Sequence, residues 1–172
     1  MNQKIGRIVR RVVSALLAPA LFAVLAAPVI AGEYDEALKG VKGIKAVFDY
    51  GQGAPKMSNA LFWAVKNVYE DESVRALPNP PRVVVVFRGA SVKLISSDRK
   101  SFNESDTAEL DKFAETIRQL KKDGVKMEVC MYAAKSLGVD PATIMPEIDQ
   151  VRNGFVSVAG YQAQGYAVVA IP

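Results

Sequence analysis

The chain reads as an α/β protein with a mostly parallel sheet of about five strands. Three observations predict it. Apolar segments of strand type alternate along the chain with segments whose apolar residues recur at helical spacing. The run Arg82-Val83-Val84-Val85-Val86-Phe87 is continuously apolar after its first residue and bounded by prolines and Gly89, the mark of a central parallel strand buried on both faces. The closing run YAVVAI, Tyr166 to Ile171, is again of buried type. Right-handed crossovers between parallel strands place helices on both faces of such a sheet.

The elements follow in order. Gly32 to Lys42 is a loose or weakly helical lead-in. Ile44 to Tyr50 (IKAVFDY) is the first strand, ended by Gly51-Gln52-Gly53-Ala54-Pro55. Ser58 can cap the helix that follows, whose stripe is Leu61, Val65 and Val68, widened by Phe62 and Tyr69. Trp63 lies off the centre of that stripe, and a partly buried structural role is expected for it. Glu70-Asp71-Glu72 reads as a solvated helix end. Leu77-Pro78-Asn79-Pro80-Pro81 is a stiff connector into the valine-rich strand. Ser91 to Ser97 reads equally as strand or helix. Ser105 or Asp106 caps the next helix, with the stripe Leu110, Phe113, Ile117 and Leu120, and Gly124 ends it.

Val125, Met127 and Val129 alternate with Lys126 and Glu128, a third strand that runs into Cys130. Met131 to Lys135 begins a short helix. Asp140-Pro141 starts another, Ile148 to Val151 is a fourth strand, and Gly154 to Gln164 is a helix rich in small residues, which allow close backbone approach.

The first residues have a different character. Lys4, Arg7, Arg10 and Arg11 precede an apolar run from Val12 to Ala27, and small residues follow at Val29 and Ala31. That is the build of a secretory signal, with cleavage expected between Ala31 and Gly32. The predicted division is therefore 1–31 as signal peptide and 32–172 as one α/β domain, periplasmic or secreted and without a stable membrane anchor. The run is short for a span and Pro19 interrupts it. Whole-chain charge is +4, and all four excess cations lie in this segment. The remainder is formally neutral, without a basic patch interleaved with aromatics, so no nucleic-acid partner is expected.

The chain has no histidine and one cysteine. Histidine-based triads and metal sites are excluded, and so are an internal disulfide, a zinc-thiolate cluster and a Cys-x-x-Cys redox pair. No metal or cofactor is expected. Gly51-Gln52-Gly53 lacks the third glycine of a dinucleotide fingerprint. The candidate reactive group is thus Cys130, at a strand-to-helix junction where backbone N–H groups and a helix dipole favour thiolate. Its bland alternative is a small buried hydrophobe. With no histidine to act as base, activation falls to helix-terminus N–H groups and a cation, for which Lys56, Arg88 and Lys135 are the candidates. Arg88-Gly89-Ala90 follows the valine-rich strand and either holds an anion or forms a salt bridge and a turn. Tyr132 either lines the cleft or packs. Tyr161, Gln162, Gln164 and Tyr166 lie at a subunit contact, beside the cleft, or simply in helix-to-sheet packing. The loops after the first three strands converge on one cleft if those strands are neighbours.

Three stretches taken in sequence, VVVVFRGA, GVKMEVCMYAAKSLGV and MPEIDQVRNGFVSVAGYQAQGYAVVAIP, resemble the DsrE/DsrF-like sulfur-relay superfamily in its small exported single-domain form. The resemblance runs from about Ile44 to Pro172. It implies a flavodoxin-like three-layer α/β/α fold without flavin, assembled as a homotrimer or hexamer. It also implies that Cys130 carries sulfur as a persulfide between donor and acceptor proteins, as a carrier more than a turnover enzyme. The alternative is an oligomeric binding or assembly domain of the same fold with a structural cysteine. Members often have His-Gly where this chain has Arg88-Gly89, and exported ones often have Asn-Thr shortly after the cysteine, where Met131-Tyr132-Ala133 stand here.

Overall fold

The structure is a computed structural model and describes residues 34–172. The expected signal segment and its cleavage point lie outside the described residues. Ten regular elements follow one another: β1 (Lys45–Tyr50), α1 (Pro55–Glu70), α2 (Glu72–Arg75), β2 (Arg82–Phe87), α3 (Thr107–Lys122), β3 (Lys126–Cys130), α4 (Met131–Ser136), β4 (Asp149–Val151), α5 (Gly154–Ala163) and β5 (Ala167–Ile171). Short 3₁₀ turns at Gly89–Lys93, Glu104–Asp106 and Pro141–Thr143 join them. Residues 91–97, ambiguous from sequence, are therefore not a regular strand.

All five strands are parallel, in the order β4-β3-β2-β1-β5. The valine-rich β2 is central, as its composition demands. Strands β1 to β4 step one way across the sheet, and the chain then returns past all of them to place β5 beside β1. With right-handed crossovers, a reversal of direction moves the connecting helix to the other face. The result is a three-layer sandwich with unequal outer layers. One face carries Phe48, Tyr50, Val85, Phe87, Met127 and Val129, packed against α1 and α3. The other face carries Val47, Val84 and Val86, covered by Val158 and Tyr161 of α5 together with Tyr166.

The first core is centred on four aromatic rings, Tyr50, Phe62, Phe87 and Phe113. Their centroids lie 4.8 to 6.3 Å apart in tilted and edge-to-face arrangements. Tyr50 is fully enclosed there, and its hydroxyl donates to the carbonyl of Ser58 at 3.0 Å. Burial pushes the Tyr50 phenol up to about 12, with the Ser58 hydrogen bond opposing the shift.

Four local expectations need correction. Helix α1 starts at Pro55, with proline in the first turn, and Ser58 is a buried residue inside it. Proline needs no N–H partner there, so no side-chain cap is required. Its Ser58 Oγ instead donates to the carbonyl of Gln52, tying the helix to the preceding loop. Before α3, Asn103 caps the 3₁₀ turn Glu104–Asp106 in a capping box whose Asp106 carboxylate accepts from the Asn103 N–H, so the cap residue lies ahead of both Ser105 and Asp106. Trp63 is 64% exposed rather than partly buried, because the stripe centres on Phe62 and Val65. Finally, β5 is an edge strand with residues 167–170 exposed, not a buried one. Its exposure follows from pairing to β1 on one side only and from the thin cover of the second face.

Candidate functional site

Cys130 is the last residue of β3 and the residue before α4. Strand alternation sends Lys126, Glu128 and Cys130 to the thinly covered face, in register with Val84, Val86 and the residue that follows Phe87. That residue is Arg88. Gly89, at φ 52°, turns the chain away directly afterwards, a conformation that glycine adopts without strain. The Arg88 N–H donates to the Tyr50 carbonyl at 2.8 Å, and Ser91 Oγ reaches the same carbonyl at 2.8 Å. The loops after β1 and β2 are thus stitched together at the carboxyl end of the sheet.

Arg88 makes a two-pronged ion pair with Asp49, which projects from the same face of β1. Its guanidinium lies 4.2 Å from the ring centroid of Phe155. Arg88 thus forms a salt bridge and Gly89 a turn, and the arginine's charge is met by a carboxylate. Helix α5 begins directly above the cysteine. A Cβ at Gly154 would stand 2.9 Å from Cys130 Cβ, and 3.1 and 3.2 Å from Cγ and Cδ of Arg88, so only glycine fits between them. Asn153 caps this helix by accepting from the N–H of Phe155 at 3.0 Å.

Cys130 is 3% exposed and lies against a pocket of about 440 Å³. Arg88, Gly89, Tyr132, Leu137, Asn153 and Phe155 are among the other residues that line it. Tyr132 is exposed on its rim, so the packing alternative for this side chain falls. Of the predicted site residues, the structure brings together Cys130, Arg88, Gly89 and Tyr132. Ala90 faces the Gly51–Ala54 loop at Gly53 and does not line the pocket. Lys56 lines a separate groove between α1 and α3, and Lys135 is not a pocket residue either. Cys130, Arg88 and Tyr132 belong to neighbouring β-strand ends, but Asn153 and Phe155 come from the α5 start and were not foreseen. The convergence of three loops is thus only partly met, since β1 contributes Asp49 behind Arg88 rather than its loop.

One turn deeper on the same face, Glu128 is 5% exposed. Its Oε1 accepts from the Tyr161 hydroxyl at 2.7 Å and lies 3.2 Å from Lys126 Nζ, while its Oε2 is buried without a partner. Burial, then the hydrogen bond to Glu128, raises the Tyr161 phenol above its ordinary value. Tyr161 and Tyr166 stack edge to face at 5.2 Å over the valines. Tyr161 of α5 and Tyr166, just before β5, pack against the second face of the sheet. Among the described residues there is no group of three or more His, Cys, Asp or Glu side chains that could hold a metal ion. No helix among the described residues is long and apolar enough to cross a membrane.

The family model of the DsrE/DsrF-like family matches residues 44–171. Among solved structures, the chain is similar to a protein of unknown function from Methanobacterium thermoautotrophicum, with TM-score 0.58 at 19% identity, covering 74% of this chain and 99% of that one. It is also similar to a conserved protein of unknown function from Bacteroides thetaiotaomicron, with TM-score 0.46, 17% identity, and 73% and 92% of the two chains covered. A third is the ychN protein from E. coli, with TM-score 0.46, 12% identity, and 74% and 100% covered. No curated protein matches the chain. At its identity the likeness to the Methanobacterium thermoautotrophicum protein establishes the fold alone.

Proposed function

The chain belongs to the DsrE/DsrF-like family, and we propose that it is an exported sulfur carrier in which Cys130 is loaded as a persulfide. The observation that carries this reading is the placement of the chain's one thiol against a pocket walled by two strand ends and the start of α5. Loading begins with attack of the Cys130 thiolate on a sulfane sulfur of the donor. A bond from Sγ to that sulfur forms, the donor's S–S bond breaks, and the shortened donor leaves as a thiolate with the electron pair. Unloading is the same exchange in reverse sense. An acceptor thiolate takes the outer sulfur, and the Cys130 thiolate is regenerated. Sulfur donor and acceptor proteins are the partners of this cycle, and assembly as a homotrimer or hexamer belongs to the same reading.

A second reading has its own observation. Cys130 is almost fully buried, while Phe155 is 64% exposed beside Tyr132, Leu137 and Val156. That combination suits an assembly domain with a structural cysteine.

One experiment separates the two. The protein is treated with inorganic polysulfide and its intact mass is measured, beside Cys130→Ser and Gly154→Ala. The carrier reading expects wild type to gain one sulfur atom, reversibly with thiol, and Cys130→Ser to gain none. Gly154→Ala pushes the start of α5 off Cys130 and Arg88, and is expected to speed maleimide labelling of the thiol several-fold. A wild-type chain that never gains sulfur, and whose thiol labels only after unfolding, sinks the carrier reading in favour of the structural one.

A further inference from the structure

A second groove lies on the other side of the molecule's thick layer, along the seam between α1 and α3. Its volume is about 680 Å³. Helical spacing lines up Lys56, Asn59, Trp63 and Lys66 on α1 against Glu109 and Lys112 on α3. Trp63 is the chain's single tryptophan and lies open on this seam. The one carboxylate in the groove, Glu109, is occupied: Asn59 Nδ2 donates to its Oε2 at 2.6 Å and to its backbone carbonyl at 2.8 Å. Lys66 reaches Glu70 at 3.4 Å one turn along its own helix, a solvent-screened contact. Among the described residues no carboxylate pairs with Lys56 or Lys112.

An exposed indole flanked by unpaired cations has no role in folding. The hydrophobic effect penalises the indole in water, and the stripe that holds α1 to the sheet runs through Phe62 and Val65 instead. We propose that the α1–α3 groove is a docking site for an acidic segment of a partner protein, one that lays an apolar side chain on Trp63 and carboxylates on Lys56 and Lys112. The charge of the groove selects this occupant. Lys56 and Lys112, without carboxylate partners among the described residues, outweigh Glu109, while Lys66 is met by Glu70, and this excess attracts an acidic surface and repels a basic one. An isologous contact with a second copy would set this cationic patch against itself, which disfavours self-association through the groove. The site is independent of Cys130 chemistry and stands whether or not that thiol carries sulfur.

Because the chain has one tryptophan, fluorescence of the full-length protein reports on this groove alone. Iodide and caesium quenching at low salt, each scaled to its quenching of free N-acetyltryptophanamide, are compared first. The lysines concentrate an anion near the indole, so iodide should quench Trp63 at least twice as efficiently as caesium, and Lys56→Glu with Lys112→Glu should bring the two towards parity. Next, an amphipathic peptide of about 14 residues, with leucines on one face and glutamates on the other, is titrated in, beside a twin with lysine for each glutamate. The acidic peptide should protect Trp63 from iodide, and the double variant should weaken that protection about tenfold or more. Both substitutions are at exposed positions, and a retained melting temperature confirms that they spare the fold. The proposal is overturned if caesium quenches wild type as well as iodide, or if the lysine peptide protects as well as the acidic one. It is equally overturned if neither protects up to about 1 mM, or if protection grows with protein concentration alone, which would assign the groove to a second copy.

Discussion

The two faces of the sheet are built to different standards. The face under α1 and α3 has four interlocked aromatic rings and a continuous set of fully buried aliphatics. The face under α5 has three buried valines, two tyrosines and a row of ionisable groups that includes Asp49, Arg88 and Glu128. Strand order explains the difference, since only one connection runs back across the sheet. The lesson is a division of labour. Stability resides in the layer with two long helices, and the chemistry-bearing residues gather where packing is thinnest and a polar side chain can be tolerated.

The comparison is most severely tested by truncating one side chain on each face. Phe113→Ala should destabilise the fold by about 3–5 kcal/mol, while Val84→Ala should cost about 1–3 kcal/mol, in denaturant melts. Equal losses would mean that the faces contribute alike. Next in size is Tyr161→Phe, which removes the donor to a buried carboxylate and should destabilise by about 1–3 kcal/mol. Here the informative readout is local. Amide exchange in α5 and maleimide labelling of Cys130 should both quicken while α1 and α3 keep their protection, and an unchanged α5 would show that the Glu128 bond does not hold it.

The smallest effect is in alkali. Tyr50 keeps its proton in the folded state to about pH 12, whereas the unfolded chain loses it near the ordinary phenol value of 10.0. Between those values the unfolded state binds fewer protons, so stability falls as pH rises and is fully present below pH 10. Tyr50→Phe should flatten that alkaline limb in melts followed from pH 9 to 12. A limb of undiminished slope would mean that Tyr50 is not the buried phenol responsible. Tyr161 is raised in the same direction, so the same series on Tyr161→Phe measures how far the thin face adds to the limb.

Much of the fold was legible because period and punctuation are local. The valine run, the Gly124 helix end and the strand leading to Cys130 all follow from neighbours in sequence. Strand order is not local. Nothing in YAVVAI distinguishes an edge strand from a central one, so β5 was expected to be buried. The site divides along the same line. Cys130 and Tyr132 share one junction, and Arg88 follows from the parallel register of β2 with β3. Asn153 and Phe155 reach the pocket only because the chain doubles back through α5, and Asp49 finds Arg88 only because β1 lies next to β2. Lys56 looked like a cation for the thiol because it follows a strand end, but the helix it starts carries it to the opposite layer.

Gly154 has one further consequence, and it concerns direction. With the backbone of α5 seated against Cys130 Cβ, the side of the sulfur under the helix is filled. Any atom joined to Sγ must grow away from α5, and so only a subset of the torsions about Cβ–Sγ stays open to a modified residue. A missing methyl group on a neighbouring element thus acts as a template, setting which way an adduct points before any reagent arrives.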